Sequence, residues 1–311
     1  MSRVLVTGGA GAIGSNLAAA LILRGHTVTI IDDLSSGHRA LVPEAARLIV
    51  GSVSDDDALG AAFASRPELV FHLAALFANQ NSVEHPAKDL TANGIGLIKV
   101  LEHAQRAGVE KVLYTSSSCV YGNKAVMCET DIDFRPDTPY AITKLLGEQY
   151  CRFWSDHHKL DTVMVRLFNT YGPGEFPGRY RNVIPNFMKL AMSGSPLPIT
   201  GTGEETRDFN FVADTVAGMI LAMESPTSPA DVFNLASGRE TTILVLAEAI
   251  NEIVGNRAGI ELKPRRGWDH VMTRRGDTTK ARAVLGYEPK VPLREGLSRT
   301  YAWLMQVGAV Q

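Results

Sequence analysis

An apolar run punctuated by evenly spaced glycines stands at the start of the sequence: Arg3-Val-Leu-Val-Thr-Gly-Gly-Ala-Gly-Ala-Ile-Gly14, continuing through Ser15-Asn-Leu-Ala-Ala-Ala-Leu-Ile-Leu23. Val4–Thr7 reads as a buried strand, the residues from Ala12 as a helix, and Gly8, Gly11 and Gly14 as the turn between them. Such a unit aims free backbone N–H groups and the positive end of a helix dipole at one point, where a diphosphate fits. Gly8 permits the tight turn, Gly11 lets a ligand approach the backbone, and Gly14 lets helix and strand pack closely. The spacing is GxxGxxG rather than GxGxxG. Thr7, Ser15, Asn16 and four glycines interrupt the stretch, so it reads as strand, turn and helix rather than a signal peptide or membrane span.

The next strand, Thr27–Asp32, is β-branched and ends in acid eighteen positions after Gly14. A carboxylate there accepts hydrogen bonds from an adenosine ribose, and Asp33 beside it repels a 2′-phosphate, so NAD is expected rather than NADP. Alternation continues through strand Arg47–Val50, helix Asp55–Ser65, strand Glu68–Leu73, a long helix Ala87–Ala107, strand Lys111–Thr115, helix Tyr140–His157 and strand Thr162–Phe168. This pattern predicts an α/β fold of Rossmann type, a doubly wound parallel sheet covered on both faces. Gly8, Asp32, Ala74, the Thr115–Ser118 run and Asn169 all fall at strand ends, so one cleft is expected to collect them.

After Asn169 the texture becomes α+β. A Gly/Pro loop (Gly172–Gly178) leads into helix Asn182–Met192, the turn-rich Ser193–Glu205, a short strand Asp208–Val212 and helix Asp214–Met223. Apolar Val232–Ala236, helix Thr242–Val254, strand Ile260–Lys263 and helix Leu293–Leu304 follow. The expected division is an NAD-binding domain over 1–170, rejoined by about 207–238, and a smaller domain over 171–311 that covers the cleft. Among 311 residues, 31 basic and 33 acidic side chains give a net charge of -2, which supports neither nucleic-acid nor membrane binding. Three scattered cysteines (Cys119, Cys128, Cys151) suggest a reducing, cytoplasmic setting, and the eight histidines show no metal-ligand spacing, so no metal is expected.

Tyr140-Ala-Ile-Thr-Lys144 places a phenol and an ammonium on one helix face. The cation is expected to draw the phenol's pKa down from about 10 and make Tyr140 a general base. Hydroxyls of Thr115-Ser-Ser-Ser118, at the end of a strand, can hydrogen-bond the reacting oxygen.

With these residues in view, the chain resembles the extended short-chain dehydrogenase/reductase family, in its NAD-dependent nucleotide-sugar epimerase/dehydratase branch. The resemblance covers nearly the whole length. It is carried by Gly8–Gly14, His72-Leu-Ala-Ala75, Ser82-Val-Glu-His-Pro86, Asn93, Ser116-Ser-Ser-Cys-Val-Tyr-Gly122, Tyr140-x-x-x-Lys144, Arg166-Leu-Phe-Asn-Thr-Tyr-Gly-Pro173, Arg207-Asp-Phe and Gly286-Tyr. It implies a catalytic trio of Ser117, Tyr140 and Lys144. It implies NAD contacts from Gly8, Gly11, Ala12, Ile13, Gly14, Asp32, Ser52, Val53, Leu73, Ala74, Ala75 and Asn93, with Tyr140 and Lys144. Substrate contacts are implied for Ser117, Tyr140, Asn169, Asn182, Arg207 and Arg266, the arginines suiting a diphosphate. Ser52 stands where many relatives carry an aspartate, which weakens the expected adenine contact.

Dehydratases of this kind carry an acid pair directly after the catalytic hydroxyl. Ser118 and Cys119 stand there, which disfavours dehydration. The implied activity is epimerisation of a UDP-hexose (UDP-glucose/UDP-galactose) at carbon 4 through a transient 4-keto sugar. The alternative is 3,5-epimerisation or ketoreduction of a 4-keto sugar nucleotide with Cys119 as acid or base. It lacks support from its second position, because Asn182 cannot shuttle a proton, and a thiol there needs a helping charge. The resemblance also implies a homodimer built on the Ala87–Ala107 and Tyr140–His157 helices.

Overall fold

A computed structural model of the chain describes residues 1–308 except 78, 134, 227 and 266–271. Seven strands form one parallel sheet: β1 (Arg3–Thr7), β2 (Thr27–Asp32), β3 (Arg47–Val50), β4 (Leu69–His72), β5 (Lys111–Ser117), β6 (Asp161–Leu167) and β7 (Asp231–Leu235). Their spatial order is 3-2-1-4-5-6-7. It reverses between β1 and β4, which opens a crevice at the carboxyl ends of those two strands.

Side-chain alternation along each strand supplies two cores. Val4, Val6, Val28, Ile30, Phe71, Val163 and Phe233 face α1 (Ala12–Leu23) on one side of the sheet. Leu5, Ile31, Val70, Val112 and Met164 face α2 (Asp56–Phe63), α3 (Gly96–Ala107) and α4 (Pro139–His158) on the other. Beyond β6 the chain adds α5 (Val183–Met192) and α6 (Val212–Glu224), with α6 returning to the first core.

Several elements differ from the sequence reading. The long helix is Pro86–Asp89, then a π-helical turn Leu90–Ile95, then α3. That turn carries buried Asn93, whose Oδ1 accepts from Leu76 N at 2.7 Å and whose Nδ2 donates to Asp89 at 2.8 Å. These side-chain bonds offer a local reason for the widened turn. The stretch 193–205 contains a strand, Leu197–Thr200, which pairs in parallel with Ile260–Lys263. Its periodicity is masked by Pro198 and the flanking turns. The strand expected at 208–212 shrinks to Asn210–Phe211, because buried Asp208 is used differently. Its carboxylate accepts from Ser237 N and Oγ, Gly238 N and Gly276 N, and so ties two distant segments to its own.

Candidate active site

The crevice is a cleft of about 580 Å³, within the range of small-molecule sites. Its floor is the glycine turn. Gly8 has φ +70°, and a Cβ on it would stand 2.7 Å from Ala74 N, so β1 and β4 touch here backbone to backbone. A Cβ on Gly14 would lie 2.2 Å from Gly8 O, which fixes glycine at that position. The first turn of α1 has no side-chain cap and no acidic residue. Its N–H groups, with Gly8, Gly11, Ala12 and Ile13 in the cleft wall, suit a dinucleotide's diphosphate. NAD fits this cradle.

Asp32 ends β2 with 8% exposure. Its Oδ2 accepts from Ala10 N and its Oδ1 from Leu34 N, both at 2.9 Å, so it braces the turn as well as presenting an acceptor. Burial, the largest influence, raises its pKa against those two hydrogen bonds. Leu73 and Ala75 line the cleft, while Ala74 N donates to Thr7 Oγ1 at 3.1 Å behind it. Buried His72 shares a 2.8 Å hydrogen bond with Thr7, and desolvation pushes its pKa down to about 3, so the imidazole is neutral.

Three of the expected cofactor contacts also have partners within the protein. Asn93 is 1% exposed, and its amide meets Leu76, Asp89 and Thr143. Ser52 gives its hydroxyl to Ser54 at 2.8 Å. Val53 is a core residue packed beside Gly96.

Opposite the turn, β5 ends at Ser117, and Pro139 starts α4 immediately before Tyr140. Thr138 caps that helix by accepting from Ala141 N, and Ser82 Oγ accepts from Tyr140 N at 3.1 Å, which fixes the position of the ring. Ser117 and Tyr140 line the cleft together, and Ser117 stands as a hydrogen-bonding neighbour that favours the ionised phenol. Lys144 Nζ donates to Thr115 O at 2.8 Å and stands 5.6 Å from the Tyr140 ring centre.

The expectation of a lowered tyrosine pKa is corrected here. Burial pushes the Tyr140 phenol well above its ordinary value, with only the Ser117 bond pulling down. Lys144 is itself lowered to about 8 by burial, against the pull of Asp89. In a pair this dry, losing solvent outweighs the attraction that helical spacing suggests.

Asn169, Asn182 and Arg207 line the facing wall. Asn169 Nδ2 donates to Asp208 O at 3.2 Å. Asn182 Nδ2 donates to Glu175 at 3.0 Å. Arg266 lies outside the described residues. Two groups that the sequence reading missed stand on this wall. Arg274 is 8% exposed, its Nη1 lies 3.5 Å from Ser118 Oγ and 3.7 Å from Cys119 Sγ, and its Nε has no partner among the described residues. Glu175, 5% exposed, is the other. An Arg-Arg pair precedes Gly276 just as one precedes Gly267, so only the fold selects Arg274.

The loop from Gly172 to Asn182 crosses the cleft as a strap. Asn16 Nδ2 holds Pro173 O at 2.9 Å, Phe176 packs between His38 and Trp303, and Arg181 donates to Ser36 O. On the other side Glu84 accepts from Arg179 at 3.0 Å and Tyr180 at 2.6 Å.

A dinucleotide cradle facing a Ser/Tyr/Lys trio defines a nicotinamide-dependent enzyme of the short-chain dehydrogenase/reductase type. Residues 4–236 match the NAD dependent epimerase/dehydratase family. The chain belongs to that family, and its cofactor is NAD. An epimerase from the pseudomurein-containing methanogen Methanothermobacter thermautotrophicus superposes with a TM-score of 0.96 at 47% identity, over 98% of this chain and 92% of that one. A UDP-glucose 4-epimerase of Mycolicibacterium smegmatis is 37% identical over 305 residues, 96% of this chain and 97% of its own. A UDP-N-acetyl-alpha-D-glucosaminuronate decarboxylase of Bacillus cytotoxicus is 32% identical over 320 residues, 98% of each. Among the described residues no helix is long and apolar enough to cross a membrane.

Proposed function

We propose that the protein is an NAD-dependent nucleotide-sugar 4-epimerase whose substrate is a UDP-hexose. The observation that carries this reading is Tyr140 beside Ser117 and Lys144 in one cleft, with no carboxylate at Ser118 or Cys119 to remove water from the ring. NAD, when bound along Gly8–Gly14, supplies the acceptor and then the donor of the carbon 4 hydride and adds positive charge near the phenol. Tyr140 takes the proton of the 4-hydroxyl and later returns it, with Ser117 holding the same oxygen. Lys144, anchored on Thr115 O, adds a cation under the phenol. Asn169, Arg207 and Arg274 keep the diphosphate anchored while the 4-keto sugar turns over to present its other face. Residues 171–311 supply most of that sugar-nucleotide site, and 1–170 with 207–238 the cofactor site.

The exposed side chains of Leu90, Ile142 and Phe153, on the Leu90–Ile95 turn and α4, support a homodimer seam there. Incubation with a panel of nucleotide sugars, read by NMR, tests the reading. Inversion at carbon 4 of a UDP-hexose is expected; NAD-free protein that converts none of them refutes it.

A second reading, 3,5-epimerisation or ketoreduction through Cys119, is favoured by one contact. Arg274 places a buried guanidinium 3.7 Å from the thiol, the helping charge a reactive cysteine needs. Turnover of Cys119→Ser separates the two: near-complete loss with NAD retained supports this second chemistry, and full activity dismisses it.

A further inference from the structure

Glu175 has no part in the chemistry above, yet it is a buried carboxyl in the wall of the cleft. Its neighbours place it between the first turns of α1 and α5. Gly174, the residue before it, packs on the first turn of α1, where a Cβ would lie 3.1 Å from Ala12 O. On its other side Asn182, at the head of α5, donates to Glu175 Oε1 from its backbone N at 3.3 Å and its Nδ2 at 3.0 Å. The first turns of α1 and α5 carry no acidic residue. Arg181, on its own loop, is the charge that favours the ionised form of Glu175. Arg181 is also tied to Ser36 O, so it is not dedicated to Glu175. His38, on the loop after β2, packs on the adjacent Phe176, and burial together with Arg181 disfavours its charged form. Trp303, on the far side of Phe176, is uncharged.

We propose that Glu175 couples substrate binding to the uptake of a proton: ionised before the nucleotide sugar binds at neutral pH, it becomes a neutral carboxyl when the diphosphate enters. The inference rests on the nucleotide-sugar reading above. A carboxylate, the cofactor diphosphate and the substrate diphosphate in one low-dielectric cleft repel one another, and taking up a proton relieves that repulsion. The proton comes from solvent. The resulting O–H donates to a phosphate oxygen, so a repulsion becomes a hydrogen bond. Burial has already raised the carboxyl to about 7, so the proton is taken up at little cost near neutrality.

The coupling has a definite sign. Because the protonated form binds the diphosphate better, KM rises by up to about tenfold per pH unit above pH 7, until the carboxyl of the complex ionises as well. Titration calorimetry of the NAD-loaded protein with UDP-glucose, whose diphosphate has no group titrating near neutrality, reads the proton directly. At pH 7.5, observed enthalpies in phosphate and in Tris should differ by about three-quarters of a proton's worth of buffer ionisation. Glu175→Gln, which keeps an oxygen to accept from Asn182, should bind with no net uptake and a KM flat between pH 6.5 and 8. Binding without uptake by the wild type, or equal uptake by the variant, overturns the inference alone. Should the variant not fold, the wild-type uptake decides by itself. Absence of any UDP-glucose binding to NAD-loaded protein overturns the functional reading and this inference with it.

Discussion

The trio rests on a buried ion pair, and removing one member of that pair should cost more than removing both. Glu148, one turn after Lys144 on α4, meets Arg166 on β6 in a two-pronged contact: Nη2 to Oε2 at 2.7 Å and Nε to Oε1 at 2.8 Å, both side chains fully buried. Ser116, next to Ser117, donates to the same carboxylate at 2.6 Å. Arg166 also holds Tyr121 and the carbonyl of Glu129. Arg166→Met leaves Glu148 charged and dry with one remaining donor. An uncompensated charge of this kind costs about 3–5 kcal/mol. A chain of 311 residues has an unfolding entropy near Tm of about 0.65 kcal/mol per degree, so Tm should fall by about 5–8 °C. Thermal melts followed by circular dichroism measure it. The double variant Glu148→Leu/Arg166→Met should recover most of the loss, since a packed apolar pair replaces an ionic one without a stranded charge. A fall of under about 2 °C in the single variant, or a double variant no better than the single, refutes the reasoning.

Four further outcomes follow from the same geometry. Tyr140→Phe should lower turnover on a UDP-hexose by about 10²–10⁴-fold while bound NAD, read by absorbance after denaturation, stays unchanged. Arg274→Gln removes a charge-assisted contact worth about 1.5–3 kcal/mol, so KM for the nucleotide sugar should rise about 10- to 150-fold with a smaller change in kcat. Since Lys144 is lowered to about 8, its cation is present below that pH and lost above it; kcat should decline as pH rises through 8, in a full pH–rate profile. Glu84→Gln weakens an exposed, solvent-screened tie of the strap, so NAD loss during dialysis should quicken only about two- to fivefold.

The sequence made the turn and the trio legible because their geometry is local. Gly8, Gly11 and Gly14 need one strand and one helix to become a cradle, and Tyr140 and Lys144 need only one helix. Electrostatics was less legible. Helical spacing reveals that a cation stands near the phenol, but it carries no information on desolvation, which reverses the expected shift. Asn93 entered through the family resemblance alone; no local pattern shows that its amide meets Leu76 and Asp89. Glu175 and Arg274 reach the cleft on loops whose paths are set by Asp208 and the strap, contacts spanning tens to more than a hundred residues. No short-range pattern encodes those.

One topological detail bears on how such enzymes can be rebuilt. β7, which the chain reaches well after residue 170, lies against β6, pairing Asp231–Leu235 with Val163–Leu167. Residues 171–311 are therefore not a cassette. Excising it at residue 170 would leave the apolar edge of β6 open to pairing with other chains. A chimera that trades specificity between relatives should retain 207–238 with the cofactor scaffold and exchange only the loops on either side.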